Sequence, residues 1–152
     1  DDITMLVFDY KKKEETVMKE KVFTAKKETL PEVMAFTEES LESFDCPMKS
    51  SMGICVAVEE IFVNIASYAY GEGAGEAVLS FGFDETERLM TLVVKDEGVP
   101  FNPLERDEPD ITLSAADREI GGLGIFITKK TMDTVSYRFE NGKNILTMTK
   151  KI

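Results

Sequence analysis

The sequence predicts an α+β domain, and three stretches carry that prediction. Around Val56 to Tyr70, the residues Ile54, Val58, Ile61, Ile65 and Tyr68 recur at helical spacing and form an apolar stripe. Ala77 to Phe83 and Leu89 to Asp96 read as a hairpin through the polar break Asp84-Glu85-Thr86-Glu87-Arg88. Thr134 to Glu140 and Lys143 to Lys150 read as a closing hairpin, because Asn141-Gly142 is a favoured two-residue turn.

The helix carries a second stripe: Gly53, Ala57, Glu60, Asn64, Ser67 and Gly71. All but Glu60 and Asn64 are small, so the stripe is expected to leave space. Glu60 and Asn64 stand four apart and project one above the other. A carboxylate can act as a general base, and an amide oxygen can ligate a hard cation such as Mg²⁺. Asn is also a poor helix former. On this helix alone, a solvated Glu with a helix-interior Asn is an equal reading.

The bulk composition narrows the function classes. The chain has 152 residues and 43% hydrophobic content, enough for one globular domain with a substantial core. Its net charge of -11 argues against nucleic acid and anionic membranes as partners. A nucleotide remains compatible, because backbone N–H groups and Mg²⁺ can carry phosphates. The sequence reads as having no apolar run of membrane-spanning length and no signal peptide. Opening on two acids without Met, it reads as an excised fragment. The chain has no His, which excludes Ser-His-Asp and Cys-His nucleophile arrangements and a self-phosphorylating histidine. Cys46 and Cys55 form neither a CxxC pair nor a disulfide framework, which suits a reducing cytoplasm.

In chain order, residues 1–10 read as a strand and 11–16 as a charged linker, with the main domain over 17–152. Thr16 to Ala25 reads as a strand without clean faces. Thr29 to Phe44 reads as a helix with Thr29 as N-cap and Pro31 in the first turn. Asp45-Cys46-Pro47 ends it, and the central helix follows, capped by Ser50 or Ser51. In the strand Leu89 to Asp96, the carboxylate of Asp96 shares parity with Met90, Leu92 and Val94. A carboxylate on the apolar side needs a partner, either a ligand donor or the backbone of the next turn. Gly98, two residues on, permits positive φ and close approach of a ligand. Leu104 to Ile120 is long, acidic and poorly periodic, as functional lids often are. Gly121-Gly122-Leu123-Gly124 then opens a helix whose unpaired N–H groups make an anion site. In the closing hairpin, Val135, Tyr137 and Phe139 are expected to face in.

Taken as an ordered set, these motifs resemble the GHKL ATPase family, which includes gyrase, the Hsp-ninety chaperone, histidine kinases and MutL. Glu-Glu-Ile-Phe-Val-Asn, Asp-Glu-Gly-Val-Pro-Phe-Asn-Pro and Gly-Gly-Leu-Gly-Ile-Phe resemble the three boxes of its anti-sigma-factor serine/threonine protein kinase branch. The opening Asp-Asp-Ile-Thr resembles the closing strand of PPM-type serine phosphatases, whose first Asp, here Asp1, helps hold a metal. The resemblance implies the Bergerat fold: a two-layer α/β sandwich with a mostly antiparallel mixed sheet and helices on one face. It implies ATP and Mg²⁺ as cofactors and transfer of the γ-phosphate to Ser or Thr of an antagonist protein. Glu60 would be the catalytic base, and Asn64 would ligate the metal. Asp96 would accept from the adenine amino group with Gly98 beside it, and Gly121, Gly122 and Gly124 would meet the phosphates.

The implied partners are a STAS-type antagonist and a sigma factor, in a cytoplasmic homodimer attached to a phosphatase. The alternative is a non-catalytic ATP-binding module that regulates such a partner. Tyr68 stands where many relatives carry His. Thr147 is not assigned to the site, since a two-residue turn pairs it with Ser136 on the outer face.

Overall fold

The computed structural model describes residues 16–105 and 122–152. The stretch read as a phosphatase remnant, most of the linker, the body of the acidic lid, and Gly121 lie outside them. Five strands form one antiparallel sheet: β1 (Thr16–Thr24), β2 (Glu76–Asp84), β3 (Leu89–Asp96), β4 (Thr134–Glu140) and β5 (Lys143–Lys151), in the order β1-β2-β3-β5-β4. The described residues also form three α-helices, α1 (Leu30–Ser43), α2 (Met48–Asn64) and α3 (Gly122–Thr131). The expected α+β architecture is therefore present.

Both hairpins form as predicted. Asp84 Oδ1 accepts the N–H groups of Thr86 and Glu87 at 3.0 and 3.2 Å, which shapes the first turn. Asn141 and Gly142 both take positive φ, 53° and 77°, as the tight second turn requires. The register pairs Ser136 with Thr147, as the two-residue turn demands.

The core lies between the helices and the inner sheet face. Phe81, Leu92 and Met148 of the sheet are fully buried, as are Val33 of α1 and Ile54 of α2. Phe36 meets Phe23 and Phe81 at 5.7 Å between ring centroids, and Phe44 stacks on Phe83 at 4.9 Å. Thr37 and Ser40 are buried in α1 but donate back to the carbonyls of Val33 and Phe36.

Several local expectations are corrected. Thr29 makes no side-chain cap, because a 3₁₀ turn over Lys27–Thr29 already leads into α1. Ser50 and Ser51 lie inside α2, which begins at Met48 directly after Pro47. Phe139 is 45% exposed, since it sits on the edge strand beside the Asn141-Gly142 turn, opposite Asn144. Tyr68 is also exposed. By length and composition alone, Met48–Ala69 would suffice to cross a membrane, contrary to the sequence reading. Its residues Ile54, Val58 and Phe62 are instead buried in the domain's own core.

Candidate functional site

The site begins where α2 changes pitch. After Asn64 the chain widens into a π turn, Ile65–Ala69. Such turns interrupt the regular ladder and recur at functional sites. The widened end faces the ends of β3 and β5 across a cavity of about 610 Å³. That volume suits a small-molecule site. Asn64, Tyr68 and Ala69 line one side. Val94 and Asp96 of β3, Leu146 of β5 and the 99–101 segment line the other. Apolar walls with a few convergent polar groups are the usual make-up of a ligand pocket.

Asp96 is 8% exposed and shares the buried parity of Met90, Leu92 and Val94, as its strand position predicts. Two donors reach the same oxygen, Oδ1: the N–H of Gly98 at 2.9 Å and Nδ2 of Asn144 at 2.9 Å. The backbone-cap reading of Asp96 is therefore correct for that oxygen. Oδ2 has no donor among the described residues. A buried carboxylate oxygen lining a cavity calls for an N–H from a ligand.

Gly98 is required for a reason the sequence did not give. Its φ is not positive. A Cβ there would stand 2.3 Å from the Ala69 carbonyl oxygen, and the N–H of Val99 donates to that same oxygen at 2.8 Å. The missing side chain thus lets the strand-end loop close onto the π turn.

Two residues of this wall, Asn144 and Tyr137, and one behind it, Tyr70, were not assigned to the site from the sequence. Asn144 is 7% exposed and stands opposite Asp96 in the β3–β5 register. It bonds Asp96, Val99 and Phe101 together. Tyr137 donates its hydroxyl to Asn144 Oδ1. Tyr70 donates to the carbonyl of Glu76 and accepts the N–H of Glu97 at 2.8 Å, which ties the start of β2 to the end of β3. Burial pushes the Tyr70 hydroxyl pKa above its usual value. A signal for Asn144 existed: it has the parity of Leu146 and Met148, both buried, just as Asp96 has that of Met90.

The remaining predicted residues divide. Asn64 and Asp96 share the cavity, whereas Glu60, one turn earlier and half-buried, is not among its lining residues. Gly122 opens α3 and Gly124 sits in its first turn. The small-residue stripe is not empty space along its whole length. Ala57 is fully buried, and a Cβ on Gly53 would meet Thr131 Cγ2 at 3.0 Å, so this half of the stripe seats α3 against α2.

The family description "Histidine kinase-like ATPase domain" matches residues 23–150. The chain is 28% identical to the serine/threonine-protein kinase BtrW of Bordetella bronchiseptica, over 63% of this chain and 67% of that protein. It is 32% identical to the serine-protein kinase RsbW of Bacillus thuringiensis, over 64% of this chain and 61% of the relative. An RsbW of Bacillus cereus is 33% identical over the same shares. The matched region thus spans 67% of the BtrW length and 61% of the RsbW length. With the family match running from the end of β1 almost to the end of β5, the chain belongs to the histidine kinase-like ATPase domain family.

Proposed function

We propose that this domain binds ATP with Mg²⁺ and phosphorylates Ser or Thr of an antagonist protein, as an anti-sigma-factor type kinase. The observation that carries the proposal is Oδ2 of the buried Asp96, without a donor among the described residues, in a cavity shared with Asn64. An acceptor-only oxygen fits the exocyclic amine of adenine, and the apolar walls fit the faces of the base. Bound Mg²⁺–ATP would supply the phosphoryl group and the metal that neutralises its charge. Asn64 would offer its amide oxygen to the metal. The first turn of α3, with Gly122 and Gly124, would present backbone N–H groups to phosphate oxygens. That neutralisation matters in a chain of net charge -11, which otherwise repels a polyanion. Glu60 would take the proton leaving the Ser or Thr hydroxyl. A STAS-type antagonist and a sigma factor as partners, a homodimer, and an attached phosphatase complete the reading drawn from the family branch.

A second reading has its own support. Glu60 lies outside the cavity lining, so a module that binds ATP and regulates its partner without transfer fits the same wall. Titration calorimetry with Mg²⁺–ATP, followed by transfer to the cognate antagonist, separates the two. Asp96→Ala is expected to weaken ATP binding by more than about tenfold, and Glu60→Gln to keep binding while losing transfer. Tight binding with no transfer by the unmodified chain selects the regulatory module, and no binding at all sinks both.

A further inference from the structure

We infer that Asn144 is a positioning residue that fixes the polarity of Asp96, and so decides which purine edge the cavity accepts. This deepens the nucleotide-binding reading and rests on it.

The orientation of the Asn144 amide is dictated by its neighbours. The N–H of Phe101 can only donate, and it reaches Asn144 Oδ1 at 3.1 Å. The Asp96 carboxylate can only accept, and it takes Nδ2 at 2.9 Å. A flipped amide would set donor against donor and acceptor against acceptor. The hydroxyl of Tyr137 occupies the second lone pair of Oδ1. The remaining Nδ2 hydrogen faces the carbonyls of Val99 at 3.0 Å and Gly98 at 3.4 Å. Every donor and acceptor site on this amide is therefore used within the protein. Asn144 lines the cavity but has no hydrogen bond left for a ligand, so it acts through Asp96.

Its action on Asp96 is specific. Asn144 and the Gly98 N–H hold the same oxygen, which leaves Oδ2 as a fixed acceptor toward the cavity. A purine with an amino group at C6 satisfies that acceptor. A purine with a carbonyl there, as in inosine or guanine nucleotides, sets oxygen against oxygen. Removing the Asn144 amide leaves the carboxylate with one donor, free to rotate and exchange its oxygens. It also removes one hydrogen bond each from Val99 and Phe101, while the N–H of Val99 stays on the Ala69 carbonyl.

The test compares ATP with ITP on the full chain by titration calorimetry, with Mg²⁺ present. The unmodified chain is expected to bind ATP more tightly than ITP. Asn144→Ala should weaken ATP about tenfold, the size of the one charge-assisted hydrogen bond from the ligand amine to Oδ2 that the loosened carboxylate no longer presents, while changing ITP by less than about threefold. The Asp96→Ala/Asn144→Ala double variant should bind ATP no more weakly than Asp96→Ala, because both act through one carboxylate. Tyr137→Phe keeps the ring and removes the hydroxyl. It serves if Asn144→Ala does not fold, and a smaller loss of discrimination in the same direction is expected. Equal weakening of ATP and ITP in these variants, or additive losses in the double variant, overturns the positioning role while ATP binding by the unmodified chain stands. Absence of ATP binding by the unmodified chain overturns the nucleotide reading itself.

Discussion

The two ends of α2 are built for different tasks, although their sequences follow one helical period. The first part buries Ile54, Val58 and Phe62 in the core and lets Gly53 and Ala57 receive α3. The last part leaves the α pitch at Ile65–Ala69 and gives Asn64, Tyr68 and Ala69 to a cavity. The small residues of the stripe thus serve helix contact at one end, while at the other only Asn64 of the stripe reaches the cavity. The deciding factor is what stands opposite: Thr131 of α3 in the first case, the open ends of β3 and β5 in the second.

The comparison breaks most visibly at the core end. Ile54→Ala should destabilise the domain by about 2–5 kcal/mol in urea unfolding, since a fully buried branched chain leaves a cavity. Nucleotide affinity per folded molecule should barely change. The next effect tests the junction of the two ends. Gly98→Ala places a methyl group 2.3 Å from the Ala69 carbonyl, so the loop or the π turn must shift. A cost of about 1–3 kcal/mol is expected, together with weaker ATP binding, because the same loop holds Asp96. An unfolding midpoint and affinity equal to the parent's would show that the loop closes without needing that contact.

Gly53→Ala should change stability by less than about 1 kcal/mol. The helix gains propensity of about that size, and the tight 3.0 Å contact with Thr131 opposes it. Adding Thr131→Ser, which removes the crowded methyl, should turn the balance to net stabilisation in the same assay. The smallest stability effect belongs to the cavity end. Asn64→Ala should be neutral or stabilising by up to about 0.7 kcal/mol, because Asn is a poor helix former. It should nevertheless weaken Mg²⁺–ATP binding. A variant that gains stability while losing ligand separates site from scaffold; one that loses stability would place Asn64 in the scaffold.

Much of the fold was legible because its signals are local. Alternation in β3, the Asn-Gly turn and the 3.6-residue stripe each need only neighbouring residues. Helix starts were less legible. Ser50 and Ser51 are good caps by type, but Pro47 set the start earlier, and the 3₁₀ turn before α1 left Thr29 nothing to cap. Of the site, Asn64 and Asp96 were legible as polar residues on faces that otherwise bury. Asn144 gave the same parity signal, yet it stands after a turn, where Asn is ordinary, so its side chain drew no notice.

The sequence by itself determined the order of elements, the inward face of β3 and the family, because periodicity and motif order are properties of the chain alone. Only the tertiary structure decided that Gly98 makes room for the Ala69 carbonyl, that half of the small-residue stripe is filled by α3, and that Asn144 completes Asp96. Each of these depends on a partner at least 29 residues away in the numbering of the chain. A contact between distant segments is fixed by sheet register and helix packing, and no local pattern encodes it.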